Sequence, residues 1–139
     1  MARNAPAVVG VGTFVLDCEG LSRYVAGERA VLELLDNGRK MGFDRVISVA
    51  TMLEASHGRI NRARWNFVLS QLRIEPLTID LAKEAAELLQ STDLHGHKYA
   101  IDAMVAVTAM RQAGPVVLLT SDVDDMYKLC GERVELVGL

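Results

Sequence analysis

Short apolar runs alternate with longer stretches of helical periodicity along this chain, and that alternation leaves few folds open. Thr13–Leu16, Arg45–Val49, Ile74–Leu77, Val116–Thr120 and Val134–Val137 read as strands, because they are brief and rich in β-branched or large apolar residues. Between them lie segments whose apolar residues recur every three or four positions. Arg29–Lys40 carries Val31, Leu32, Leu34 and Leu35 on one stripe, and Asn61–Leu72 would bury Trp65, Val68, Leu69 and Leu72. Leu21–Ala26, a short helix containing Met52, Leu53 and Glu54, Thr78–Leu89, Ala100–Gln112 and Val123–Cys130 complete the helical set. Strands that alternate with helices build βα units, and βα units build a parallel sheet.

The punctuation agrees with this reading. Gly38 and Gly42 are placed to end the helix after Arg29, and Gly114-Pro115 stops the one before the fourth strand. Ser48 or Thr51 can cap the helix that carries Glu54. Pro76 cannot donate to a ladder, so the third strand belongs at a sheet edge or ends there. Ser91–Lys98 is polar, contains His95 and His97, and reads as a loop.

With 139 residues, half of them hydrophobic, the chain can build one core without staples. We therefore expect a single domain over residues 1–139, with 1–12 as a flexible leading segment. Cys18 and Cys130 are too few for a disulfide scaffold and lack metal-ligand spacing, so they read as small buried residues in a reducing compartment. Arg3 followed by the apolar stretch to Leu16 imitates a secretion signal. It lacks a small-residue cleavage site and serves equally well as a first buried strand. No apolar run reaches the roughly 20 residues of a membrane span, and a soluble cytoplasmic protein is the expectation.

Four acidic residues stand where strands hand over to helices. Asp17 closes the first strand, Glu54 follows the second, Asp102 opens the apolar segment Ala103–Val107, and Asp122 follows the fourth strand after one serine. In an open parallel sheet, ligands bind at the carboxyl ends of the strands. Carboxylates gathered there repel one another unless a hard cation neutralises them, which points to Mg²⁺ or Mn²⁺. The net charge of −3 does not advertise a nucleic-acid binder. Basic residues nevertheless cluster beside the acids: Arg59, Arg62 and Arg64 after Glu54, and Lys98 before Asp102. They could hold a phosphate backbone, or could equally be a solvated helix face.

Four motifs carry a resemblance to a known family: Phe14-Val-Leu-Asp-Cys18, Ile47-Ser-Val-Ala-Thr-Met-Leu-Glu-Ala55, Ile101-Asp-Ala-Met-Val-Ala-Val-Thr-Ala109 and Leu119-Thr-Ser-Asp-Val-Asp-Asp125. Each alone is weak, but their order and spacing resemble the PIN domain family, metal-dependent ribonucleases that include VapC-type toxins. The resemblance runs from Thr13 to the final strand. It implies an α/β fold, a PIN-like three-layer α/β/α sandwich with a central, mostly parallel sheet of four to five strands. It implies Asp17, Glu54, Asp102 and Asp122 as catalytic metal ligands, Asp125 as a further acidic group, and Thr120 as a hydroxyl that orients a carboxylate or water. The cofactor would be Mg²⁺ or Mn²⁺, which activates water and stabilises charge on a scissile phosphate. The substrate would be RNA, and the partners a cognate antitoxin and a second copy of the chain.

Other readings stay open at this point. Asp17, Asp102 and Asp122 could be helix caps, and Glu54 an exposed salt-bridge partner. His57, His95 and His97 could bind zinc, although no HExxH or cysteine spacing supports them. Glu19 stands where toxin members often have a small residue, and could be an outer ligand or face solvent. A haloacid-dehalogenase-like phosphatase would use Asp17 as nucleophile, but Asp17-Cys-Glu19 lacks the second aspartate of that pattern. A PIN-like module without turnover is the non-enzymatic alternative. The apolar residues of the two helices after Gly20 could supply a dimer surface or could be core.

Overall fold

A computed structural model describes residues 10–139. The chain order is β1 (Gly12–Leu16), α1 (Cys18–Ala26), α2 (Arg29–Lys40), β2 (Phe43–Ser48), α3 (Val49–Ala55), α4 (Arg62–Ser70), β3 (Arg73–Glu75), α5 (Ile79–Ser91), α6 (Gly96–Met110), β4 (Val116–Thr120), α7 (Val123–Cys130) and β5 (Glu135–Gly138). The strands form one sheet in the order β3-β2-β1-β4-β5, and every pairing is parallel. Most of the expected leading segment, residues 1–9, lies outside the described residues, and Gly12 already belongs to β1.

Alternation along each strand sorts the core into two sides of the sheet. Phe14, Leu16, Ile47 and Leu119 point toward α1–α4, where they meet Leu21, Tyr24, Val31, Leu35, Trp65 and Val68. Val15, Val46 and Leu118 point the other way, against Val105, Ala106 and Ala109 of α6 and Met126 and Leu129 of α7. Helix α5 lies on α6 through Leu81 and Ala85. The result is the three-layer α/β/α arrangement, with a sheet of five parallel strands. The apolar residues of α1 and α2 are therefore largely core. Among the described residues, no helix is long and apolar enough to cross a membrane.

Three local expectations change. Gly38 does not end α2 but lies within it, where a Cβ would collide with the Phe14 ring; Gly42, with φ of +88°, follows the helix end as expected, its N–H donating to the Arg39 carbonyl. The third strand is Arg73–Glu75, starting one residue and ending two residues before the Ile74–Leu77 of the sequence pattern, and sits at the sheet edge. Glu54 falls in the last turn of α3, since Ser48 caps that helix by accepting the N–H of Ala50.

The largest change is at α6, which starts at Gly96 rather than Ala100. His95 holds extended backbone, and its carbonyl accepts the N–H groups of Lys98 and Tyr99. The Ser91–Lys98 loop is correspondingly shorter. A polar first turn on an exposed face carries no apolar periodicity, so pattern alone cannot find it. Asp102 consequently lies in the second turn of α6. It does not open that helix and cannot cap it.

Candidate metal and RNA site

Strand order reverses around β1: the chain winds outward through β2 and β3 on one side, then through β4 and β5 on the other. The crevice of such a sheet opens at the carboxyl ends of the strands flanking that reversal. Asp17 follows β1 and Asp122 follows β4, so topology alone brings their segments together across the sheet.

Asp17 is buried and fixed by the backbone on both sides. One carboxylate oxygen accepts the N–H of Gly20 at 2.9 Å and so caps α1; the other accepts the N–H of Ser121 at 3.2 Å. Capping and site-building are thus the same act, because the second bond ties the end of β1 to the turn after β4. Thr120 is fully buried, and its hydroxyl accepts the N–H of Asp122 at 2.9 Å. That bond shapes the turn and leaves Asp122 at the N-cap position of α7, with no hydrogen bond from its side chain to the helix. The Asp122 carboxylate is not consumed as a cap.

A cleft of about 420 Å³ lies above these segments. Glu54, Asp102, Asp122 and Asp125 line it, together with His97, Lys98 and Tyr99 of the first turn of α6. Asp17 is set back from the lining. Its charge is still felt there, as the carboxyl groups show. The Asp102 carboxyl is pushed up to about 6, first by burial and then by the charges of Asp122, Glu54, Asp125 and Asp17. Glu54 is raised as well, by burial and then by Asp17, while a hydrogen bond with Cys18 pulls the other way and Asp122 adds a smaller push. Burial and its Glu54 neighbour raise the Cys18 thiol in turn. Asp125 is partly offset by Lys128, 3.5 Å away.

These groups have the donor chemistry of a hard-cation site: carboxylate oxygens, mutually repelling, facing one cleft. They share that cleft without being clenched around a point. Among the described residues, no three His, Cys, Asp or Glu side chains are gathered closely enough to hold a metal ion. Like charges in a shared cleft are expected to stand apart until a cation draws them in.

The basic residues divide. Lys98 lines the cleft. Arg59 and Arg62 are exposed on the α3–α4 connection and the start of α4, outside the lining. Arg64 is engaged elsewhere: its guanidinium donates to the carbonyls of Tyr24 and Val25 at the end of α1 and lies over the Phe67 ring. Glu19 is held by Arg23 at 2.7 Å. His57 and His95 are exposed and outside the cleft lining. Sequence reasoning passed over Tyr99 and the Cys18 thiol beside Glu54. Tyr99 stands three residues before Asp102, a helical spacing that would have exposed it had the start of α6 been placed correctly.

A parallel sheet with this reversal, and acids at its carboxyl edge, defines an α/β protein with an acid-lined crevice. The PIN domain family matches residues 15–132, and the chain belongs to it. Its fold is similar to that of a chain in the crystal structure of VapBC2 from Rickettsia felis bound to a DNA fragment from their promoter. The TM-score is 0.70 at 16% identity, covering 91% of this chain and 98% of that one. A chain of a toxin–antitoxin complex from Klebsiella pneumoniae is similar at TM-score 0.64 and 21% identity, covering 88% and 94%. No curated protein matches the chain.

Proposed function

We propose that this protein is a metal-dependent endoribonuclease that hydrolyses phosphodiester bonds of RNA, and the toxin of a type II toxin–antitoxin pair. The observation that carries the reading is Asp102, a half-buried carboxyl pushed up to about 6, first by its burial and then by the surrounding carboxylates, at the crevice of a PIN domain. A buried group pressed by like charges is costly unless a cation repays it.

Asp17, Glu54, Asp102 and Asp122 would hold Mg²⁺ or Mn²⁺, with Asp125 farther out, and the ion would supply activation of water and stabilisation of phosphate charge. The chain's own work is placement. Asp17 fixes the floor by joining Gly20 to Ser121. Thr120 sets the turn that presents Asp122. Helix α6 holds Asp102 rigid on a packed element, which suits a ligand that must not move. Lys98 at the cleft and the exposed Arg59 and Arg62 would meet the RNA backbone, with Arg64 contributing less because its donors are in use.

The similarity to chains from VapBC2 and from a toxin–antitoxin complex supports an antitoxin partner; a homodimer and a cytoplasmic location belong to the same proposal. The whole chain would act as one domain. A module without turnover is the weaker reading, since all four carboxylates are present. A phosphatase using Asp17 as nucleophile is weaker still, because Asp17-Cys-Glu19 lacks the second aspartate of that pattern.

The test is cleavage of single-stranded RNA with Mg²⁺ or Mn²⁺. Activity should appear with either ion and vanish in EDTA; full activity in EDTA would end the metal reading. Co-expression with the reading frame immediately upstream tests the toxin assignment, and sedimentation tests the dimer.

A further inference from the structure

Lys98 and Tyr99 stand four and three residues before Asp102, so helical spacing sets both beside it on α6. Both line the carboxylate cleft, where Lys98 is the one lysine or arginine of the lining. The Lys98 ammonium lies 5.1 Å from the centroid of the Tyr99 ring. Its pKa is raised first by the Tyr99 hydroxyl and then by the charges of Asp125 and Asp122. Lys98 is exposed on a long flexible stem, while Tyr99 is half-buried and therefore fixed. A solvent-exposed cation over an aromatic face is weakly held and easily displaced.

A strand of RNA brings two groups to such a pair. Its base offers a flat face that stacks on a tyrosine ring regardless of sequence, and its phosphate attracts an ammonium. We propose that Lys98 and Tyr99 form an exchange site for one unstacked nucleotide. The base takes the place of the ammonium on the Tyr99 ring, and Lys98 turns to the adjoining phosphate. This rests on the nuclease reading above and sharpens its substrate class. A base can stack there only if it is already out of a helix, so the site selects single-stranded or looped RNA and rejects duplex. The exchange also moves a positive charge off the ring and onto an incoming phosphate, which would otherwise face only carboxylates.

The experiment has two parts. Wild-type protein with Mn²⁺ is first assayed for cleavage of a short oligouridylate. Binding is then measured by fluorescence anisotropy in an Asp102→Asn background with Mn²⁺, using that oligouridylate and a matched abasic strand. The oligouridylate should bind more tightly than the abasic strand by about fivefold or more, the contribution of one stacked base. Tyr99→Leu, which keeps apolar volume without a π-face, should erase that advantage, and Tyr99→Phe should keep it. Lys98→Gln should weaken both strands alike and lower the slope of log affinity against log salt by about 0.7. Retention of the base advantage in Tyr99→Leu, or its loss in Tyr99→Phe, overturns the exchange site while leaving the nuclease reading intact. An unchanged salt slope in Lys98→Gln does the same. No cleavage by the wild type overturns the nuclease reading, and the exchange site falls with it.

Discussion

Two charged regions of this molecule obey opposite rules. Between α1, α2 and α4, Arg45 and Arg64 have each found partners. Arg45 is nearly buried; its guanidinium donates to the Tyr24 hydroxyl at 2.7 Å and to the Leu35 carbonyl at 3.5 Å, and lies over the Tyr24 ring. Arg64 donates to the carbonyls that end α1. At the carboxyl edge of the sheet, Glu54, Asp102 and Asp122 face a shared cleft with like charge, and Asp102 and Glu54 are pushed upward for it. The first region spends its charges on the fold, and removing one should cost stability. The second stores unfavourable charge, and removing one should gain stability and lose function.

The sharpest test of that contrast is Asp102→Asn. Loss of partners outside a metal's direct ligands already costs about 10–100-fold, so this substitution should lower RNA cleavage by on the order of a hundredfold or more. Circular dichroism should show the fold retained. Cleavage at the wild-type rate would move Asp102 from chemistry to structure.

Metal binding should then separate the regions thermodynamically. A cation that binds only the folded state adds about 2.7 kcal/mol at a hundredfold excess over Kd, or a melting shift of about 9 °C for a chain of this size. The shift with Mn²⁺ should shrink in Asp17→Asn and Asp102→Asn and persist in Arg45→Met. Equal shifts in all of them would place the ion elsewhere.

Arg45→Met probes the opposite region. It strands the Tyr24 hydroxyl and removes the additional donor to the Leu35 carbonyl, and charged hydrogen bonds of this kind contribute about 1.5–3 kcal/mol. Urea denaturation should show a loss in that range, without change in metal dependence. A neutral result would mean that burying the guanidinium costs as much as its partners return.

The smallest expected effect is on pH dependence. Asp102 is raised from 3.8 to about 6 on folding, so the folded state holds its proton more tightly than the unfolded chain. Its contribution is therefore present below about pH 4 and lost as pH rises to about 6. Allowing for partial exposure, the metal-free protein should lose on the order of 1 kcal/mol across that window from this group. Glu54 adds to it with the same sign. Asp102→Asn should flatten the profile, and added Mn²⁺ should reverse it, because the ion competes with the proton. A metal-free protein that gains stability between pH 4 and 6 would contradict the stored-charge picture.

Much of the fold was legible in order. β4 and α7 match their sequence-read boundaries, as does α2, because each is a clean apolar period bounded by turn residues. The start of α6 was not, since Gly96, His97 and Lys98 are exposed and polar and leave no apolar trace. That single displacement changed the meaning of three residues: Asp102 moved from the helix start to its second turn, Lys98 moved from loop to cleft wall, and Tyr99, assigned to neither segment, joined it there. The partners of Arg64 were equally hidden. The carbonyls it meets lie about 40 residues away, and nothing local to Arg62–Ser70 announces them.

What the sequence determined by itself is local and periodic. The alternation of strand and helix, the parallel sheet it forces, and the acids after β1, β2 and β4 all follow from short-range pattern and backbone chemistry. What only the tertiary structure decided is which charges are matched. Asp17 reaches the N–H of Ser121 across more than a hundred residues, Arg64 is drawn into α1, and Lys98 rests on Tyr99 above the carboxylates. Whether a charge is shielded, paired or pressed against its like depends on distance through space, and distance along the chain carries no record of it.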